Sequence, residues 1–157
     1  MTDVAPPDVP TVVETPSEDF VQESVDVRAE DLPADVSVLN LTAQERGWIR
    51  DVFFDYDSSS LSPDGQDALA VTASWLKSHP EFSLLIEGHC DERGTQQYNL
   101  ALGDRRANIA REYLATLGVD DGRLRTVSYG EERPFSNGSS EEAWRQNRRA
   151  HLVLVKQ

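Results

Sequence analysis

The chain is poor in sulfur, in positive charge and in long apolar runs, and each shortage excludes something. The single cysteine, Cys90, cannot close an internal disulfide or supply a Cys-rich zinc site. No stretch of about 18 apolar residues occurs, so no segment reads as a membrane-spanning helix. Only 15 Lys and Arg stand against 28 Asp and Glu, a formal net charge of −13. Phosphate contact needs clustered Lys and Arg, so a nucleic-acid partner is not expected, nor is docking on an anionic membrane surface. Met1-Thr2-Asp3-Val4 has neither the basic n-region nor the apolar h-region of an export signal. The expectation is that the protein is not exported, or that its export signal has been removed.

What is present is unevenly distributed. A chain of 157 residues that is 38% hydrophobic can build one packed domain and carry a tail. Residues 1–45 hold eleven acidic residues against Arg28 alone, five of the eight prolines, one aromatic (Phe20) and no glycine. Such a segment buries too little surface to offset chain entropy. Residues 1–35 therefore read as an acidic, Pro-rich, flexible tether, 36–47 as a lead-in, and 48–157 as the domain. The tether's valines (Val9, Val12, Val13, Val21, Val25, Val27) are spaced as in a pairing segment, but a solvated spacer is the simpler reading.

The domain alternates strands and helices. Ile49 to Tyr56 is predicted as a first strand. Ser62-Pro63-Asp64 starts a helix, with a cap, a proline at the first position and an acid in the first turn. That helix must stop before Pro80. Phe82 to Glu87 is the second strand. A long helix runs from about Tyr98 to Leu117, with Gly118 behind it. Leu124 to Tyr129 is the third strand, Ser139-Ser140-Glu141-Glu142 starts a third helix, and Ala150 to Val155 is the last strand. The order is β-α-β-α-β-α-β, an α/β sandwich with helices packed on a sheet. Strand order is not readable from this pattern.

Ligands in open α/β sheets collect at the carboxyl ends of strands. Asp55 and Asp91 sit at two such ends; either alone is most simply a loop carboxylate capping backbone N–H groups. Asp57 belongs to a turn, since Asp57-Ser58-Ser59-Ser60 is turn chemistry. The long helix carries an apolar stripe of Leu102, Ile109, Ala110, Tyr113 and Leu117, and Arg106 falls on it. An arginine there must be paired, snorkel, or sit at the mouth of a cleft. If the helix starts beside the strand ends, Arg106 comes near Asp91 and Asp55. A guanidinium and carboxylates facing one pocket suit a zwitterion: the fork takes a carboxylate, the acid an ammonium.

Catalytic readings fare worse. His89 and Cys90 are neighbours after a strand, so their side chains diverge where a Cys–His nucleophile needs contact. A metal-assisted hydrolase on His89, Asp91, Asp55 and Asp57 lacks a second ligand cluster of metal-binding spacing. No glycine-rich phosphate loop and no G-x-S-x-G sequence occurs. No enzyme activity, cofactor or metal is expected. A protein–protein scaffold is the alternative to ligand binding.

Five blocks carry a family likeness: Phe53-Phe54-Asp55-Tyr56-Asp57; Glu87 to Thr95; Tyr98 to Asn108; Ser128-Tyr129-Gly130-Glu131-Glu132-Arg133-Pro134; and Asn147-Arg148-Arg149-Ala150. Together, over about residues 48–155, they resemble the OmpA-like peptidoglycan-binding domain. Within that family they most resemble the outer-membrane lipoprotein branch of Gram-negative bacteria, rather than the porin-linked or flagellar-stator branches.

The resemblance implies helices packed on a mixed sheet and non-catalytic binding of the peptidoglycan stem peptide through its diaminopimelate side chain. It places the key aspartate on Asp91 and the key arginine on Arg106, with Asp55, Asn99, Leu102, Asn147 and Arg148 beside them. It implies two partners in the Tol system, the periplasmic β-propeller protein and its inner-membrane partner. The location implied is the periplasmic face of the outer membrane, reached through a lipid anchor that this chain lacks. A flexible tether of about 35 residues has an r.m.s. reach of roughly 30 Å. Cys90 departs from the family, which has Thr or Ala there, and adds a thiol open to oxidation.

Overall fold

The computed structural model describes residues 35–157. The expected tether lies outside these residues except for Asp35, whose carboxylate accepts from the Ser37 N–H and caps helix α1 (Val36–Glu45). The lead-in is thus helical over most of its length. It buries Leu39 and Ala43, a stripe too short to stand out beside the acidic stretch.

Strand β1 is only Val52–Phe53. The expected start at Ile49 fails because the chain there is tied to helices. The Ile49 N–H donates to Ala43 O, and the Arg50 N–H to Thr72 Oγ1. Ser62 caps α2 (Pro63–Ser78), with Pro63 at the first position as read from sequence. Strand β2 (Phe82–His89) follows, then α3 (Gln96–Thr116), capped by Thr95. A 3₁₀ turn (Asp121–Arg123) leads into β3 (Leu124–Gly130). Ser140 caps α4 (Glu141–Asn147), and β4 (Arg149–Lys156) completes the sheet.

The sheet order is β1-β4-β2-β3. β4 runs antiparallel to β1 and β2, and β2 parallel to β3, so the sheet is mixed, as the resemblance implies. One face carries Leu84, Ile86, Leu152 and Leu154 against Leu69 and Leu76 of α2 and Ala107, Ala110 and Leu114 of α3. Alternate β4 residues, Arg149, His151 and Val153, are half-buried on the other face.

β1 is too short to cover β4, and side chains complete the edge. The Asn40 carboxamide accepts from the Leu154 N–H at 2.7 Å and donates to Leu154 O at 3.0 Å, as a neighbouring strand would. Asp51 accepts from the Leu152 N–H at 3.1 Å, and its other oxygen holds Arg149 and His151, each at 2.8 Å. Burial alone would raise the Asp51 carboxyl, but His151, Arg149 and the Leu152 N–H hold it below 3.8. Burial alone would lower His151, and Asp51 lifts it above 6.5. The His151 contribution is therefore present below 6.5 and lost as pH rises through the raised value; the Asp51 contribution is lost as pH falls below 3.8. Urea midpoints should accordingly fall from pH 6 to pH 9 in the native protein, and His151→Gln should flatten that slope. An unchanged slope would show that the pair does not couple to folding.

The crossing of α3 over β2 positions everything that follows. A Cβ at Gly88 would lie 1.7 Å from Gly103 O, and one at Gly103 would lie 2.3 Å from Ser128 Oγ. Neither glycine has a positive φ, so both are there for closeness. Backbone touches backbone, and α3 lies low enough for Arg106 to reach beneath the ends of β1 and β2.

Candidate functional site

The loop from Cys90 to Thr95 leaves the carboxyl end of β2 and turns back into α3. Asp91 builds it as an Asx turn, accepting from the Arg93 N–H at 3.0 Å. Asn99, buried one turn into α3, holds the loop from inside. Its amide donates to Arg93 O at 3.0 Å and to Glu131 Oε1 at 2.6 Å. Across the opening, Asp57 has φ 56°, a left-handed turn conformation that Asp tolerates, and its carboxylate accepts from the Tyr98 hydroxyl.

Arg106 is fully buried. It does fall on the buried stripe of α3, although that stripe runs Leu102, Gly103, Arg106, Ala107, Ala110, Leu114, with Ile109, Tyr113 and Leu117 only partly buried at its edge. Its hydrogen-bond partners are three backbone carbonyls. Nε donates to Ser58 O at 2.8 Å, Nη1 to His89 O at 2.9 Å and Nη2 to Asp55 O at 3.0 Å. The arginine binds carbonyls rather than the two carboxylates, because the close crossing of α3 brings it under the backbone of both strand ends. A guanidinium has five N–H donors, so two remain, one on each Nη. Burial lowers its basicity from the ordinary value.

Arg106, Asp91, Asn99 and Leu102 come together around one cavity of about 50 Å³, with Tyr56, Asp57, Cys90, Arg93, Gly94 and Tyr98 completing its wall. Asp91 is 4% exposed. Burial alone would raise its carboxyl, but hydrogen bonds from Arg93 and Arg148 hold it below 3.8. Burial pushes the Cys90 thiol up to about 11, and Sγ–H donates to Asn99 O. Cys90 is buried and its thiolate is scarce at neutral pH, which slows the oxidation that a thiol at this position allows.

The other sequence-derived residues lie apart from that cavity. The Asp55 side chain is exposed and lines a separate cleft of about 770 Å³ with Arg148 and Arg149. At Arg106 only the Asp55 carbonyl takes part. Arg148 backs the site: Nη1 reaches Asp91 at 3.4 Å while Nε donates to Phe54 O. Asn147 is buried and tied to Phe135 and Ser136, accepting both N–H groups and donating to Ser136 O. It is not part of the cavity wall. The imidazole of His89 binds Glu87 and packs beside Tyr129 and Phe135, away from Asp91, so the residues of the hydrolase reading are not gathered.

Arg93 was not singled out from the sequence. Its guanidinium lies 4.0 Å from the Tyr56 ring and 3.9 Å from the Trp144 ring, between the two. It grips Asp91 through Nε and Nη2 at 3.2 and 2.8 Å. The available signal was the Asp-x-Arg spacing, which in a tight loop folds the arginine back on the acid.

The pattern that defines the OmpA family matches residues 53–148, a stretch containing the whole cavity wall. The chain belongs to the OmpA family. Among its OmpA-family relatives are the peptidoglycan-associated lipoprotein of Brucella melitensis, 52% identical over 66% of this chain and 61% of that protein, and that of Pseudomonas putida, 49% identical over 64% and 60%. The chain thus spans about 60% of the length of these curated relatives. The crystal structure of the peptidoglycan-associated lipoprotein from Burkholderia pseudomallei is 50% identical, with a TM-score of 0.65, over 67% of this chain and 89% of that one.

Proposed function

We propose that this OmpA-family chain binds the peptidoglycan stem peptide without catalysis, taking the free amino-acid end of a diaminopimelate side chain at Arg106 and Asp91. One observation carries this. A buried arginine lines a cavity with two N–H donors left over, beside an aspartate whose surroundings keep it ionised. The two donors suit a carboxylate and the aspartate suits an ammonium, the two ends of one zwitterion. The relatives named for association with peptidoglycan support the ligand class, as does the likeness to a cell-wall anchor from Pseudomonas aeruginosa, 28% identical with a TM-score of 0.58.

On this reading the native protein sits at the periplasmic face of the outer membrane. Residues 1–35 span from a lipid anchor to the wall-binding domain, and the Tol proteins are its partners. Family likeness supports those assignments.

The test is co-sedimentation with isolated diaminopimelate-containing sacculi. Free meso-diaminopimelate should release the protein, and pimelate, which lacks the ammonium groups, should not. Asp91→Asn should weaken binding about tenfold, the size of one charge-assisted hydrogen bond. Sedimentation indifferent to both the free diamino acid and Asp91→Asn would contradict the proposal.

A further inference from the structure

The ligand-free site is already occupied. A carboxylate offers about four lone-pair positions. Asp91 has four contacts: Oδ1 takes the Arg93 N–H and Nε–H, and Oδ2 takes Nη–H groups from Arg93 and Arg148. None is left for an incoming ammonium. The cavity is about 50 Å³, room for a few waters at roughly 10–15 Å³ each, and Arg93 forms part of its wall.

The partners are unequal. Arg148 is 7% exposed, with Nε fixed to Phe54 O. Arg93 is 30% exposed and walled by two aromatic side chains, Tyr56 and Trp144. Outward motion of Arg93 would open the cavity and free two of the four positions on Asp91, while its backbone N–H and Arg148 keep the carboxylate held.

We propose that Arg93 is a resident cation in the ammonium seat of this site, exchanged for the ammonium of the ligand on binding. This rests on the function proposed above and deepens it. Exchange keeps the charge beside Asp91 constant, so the buried carboxylate is never left uncompensated. It also sets specificity. A ligand with a carboxylate alone cannot replace Arg93, and would meet Asp91 as a like charge if Arg93 left. The Tyr56–Trp144 slot holds Arg93 in place between binding events through ring–guanidinium contact on both faces.

The experiment is calorimetric titration of the full chain and of Arg93→Ala with meso-diaminopimelate and with pimelate. In parallel, the Arg93 Nε–H signal is followed by NMR in the native protein. Arg93 lies in a loop and outside the core cluster, and circular dichroism checks that the variant folds. Removing the internal competitor should tighten diaminopimelate binding about tenfold, the equivalent of one charge-assisted hydrogen bond, with no gain for pimelate. The native Nε–H signal should shift as the diamino acid saturates. Trp144→Leu, which removes one wall of the slot at a residue that does not itself line the cavity, should move affinity in the same direction by a smaller factor. Weaker diaminopimelate binding by Arg93→Ala, an equal gain for pimelate, or an Nε–H signal unmoved at saturation would overturn the exchange while leaving the function in place. Failure of both proteins to bind the diamino acid would overturn the function, and the exchange with it.

Discussion

Arg106→Lys should fold and fail to bind. An ammonium carries three donors, and the carbonyls of Ser58, His89 and Asp55 need all three. Nothing is then left for a ligand carboxylate, and the planar fork is gone. Affinity for sacculi should drop by more than about tenfold, beyond the loss of a single charged hydrogen bond. Arg106→Ala is a harsher change. It abandons three carbonyls on two separate segments, those of Asp55 and Ser58 in the turn after β1 and the buried one of His89 at the end of β2. Hydrogen bonds to charged donors contribute roughly 1.5–3 kcal/mol each, and part is returned because a buried guanidinium no longer has to be desolvated. A net loss of about 3 kcal/mol in urea unfolding is expected, so the alanine variant confounds binding with folding. The lysine variant separates them. Native-like sacculus binding by Arg106→Lys would show that the two leftover N–H groups are not the carboxylate seat.

The second large effect lies outside the cavity. Gly88→Ala should cost about 3 kcal/mol or more, at the upper end of overpacking, and should remove binding in whatever fraction still folds. The new Cβ would meet the Gly103 carbonyl, backbone rather than a yielding side-chain tip, so α3 must lift from β2. Arg106 rides on α3 and would be carried away from the strand-end carbonyls. Gly103→Ala should cost less, because its nearest obstacle is the Ser128 hydroxyl, which can rotate away from its bond to Leu100 O, and the backbone it meets, Gly88 O, stands at 2.9 Å rather than 1.7 Å. Paired urea titrations rank the two. Equal and small losses would mean that the crossing tolerates a methyl group and does not set the depth of Arg106.

Much of this architecture was legible in the residues. Caps at Ser62 and Ser140 and the glycine behind α3 mark helix ends with local chemistry, and local chemistry is what a sequence displays; Thr95, which caps α3 ahead of its expected start near Tyr98, was not read. Arg106 stood out because a charge on an apolar stripe is a contradiction that structure must resolve. Its resolution was not legible: the three carbonyls come from chain positions 17 to 51 residues away, and backbone groups leave no mark in composition. Helix α1 was hidden because two buried residues in ten make too weak a pattern. β1 shrank because the edge of β4 is satisfied by side chains of Asn40, Gln44 and Asp51, a tertiary substitution that apolar patterning cannot announce. Asn147 was placed by family likeness, and Asp55 by its position at a strand end as well as by that likeness. Asn147 secures a neighbouring loop, and Asp55 offers its carbonyl to Arg106 while its carboxylate faces the larger cleft. Arg93 was overlooked because its importance lies in closing a ring of contacts, Asp91 on one side and two aromatic walls on the others, that only folding assembles.

The central claim is that Arg106 and Asp91 divide the two charges of one amino-acid head between them. A crystal structure of the chain with meso-diaminopimelate bound tests it most directly. One ligand carboxylate should lie about 2.7–2.9 Å from both Nη atoms of Arg106, the spacing of a charge-assisted fork, with the adjoining ammonium on Asp91 and Arg93 swung out. A ligand seated elsewhere, with Arg93 still closed on Asp91 and no carboxylate at Arg106, would contradict it.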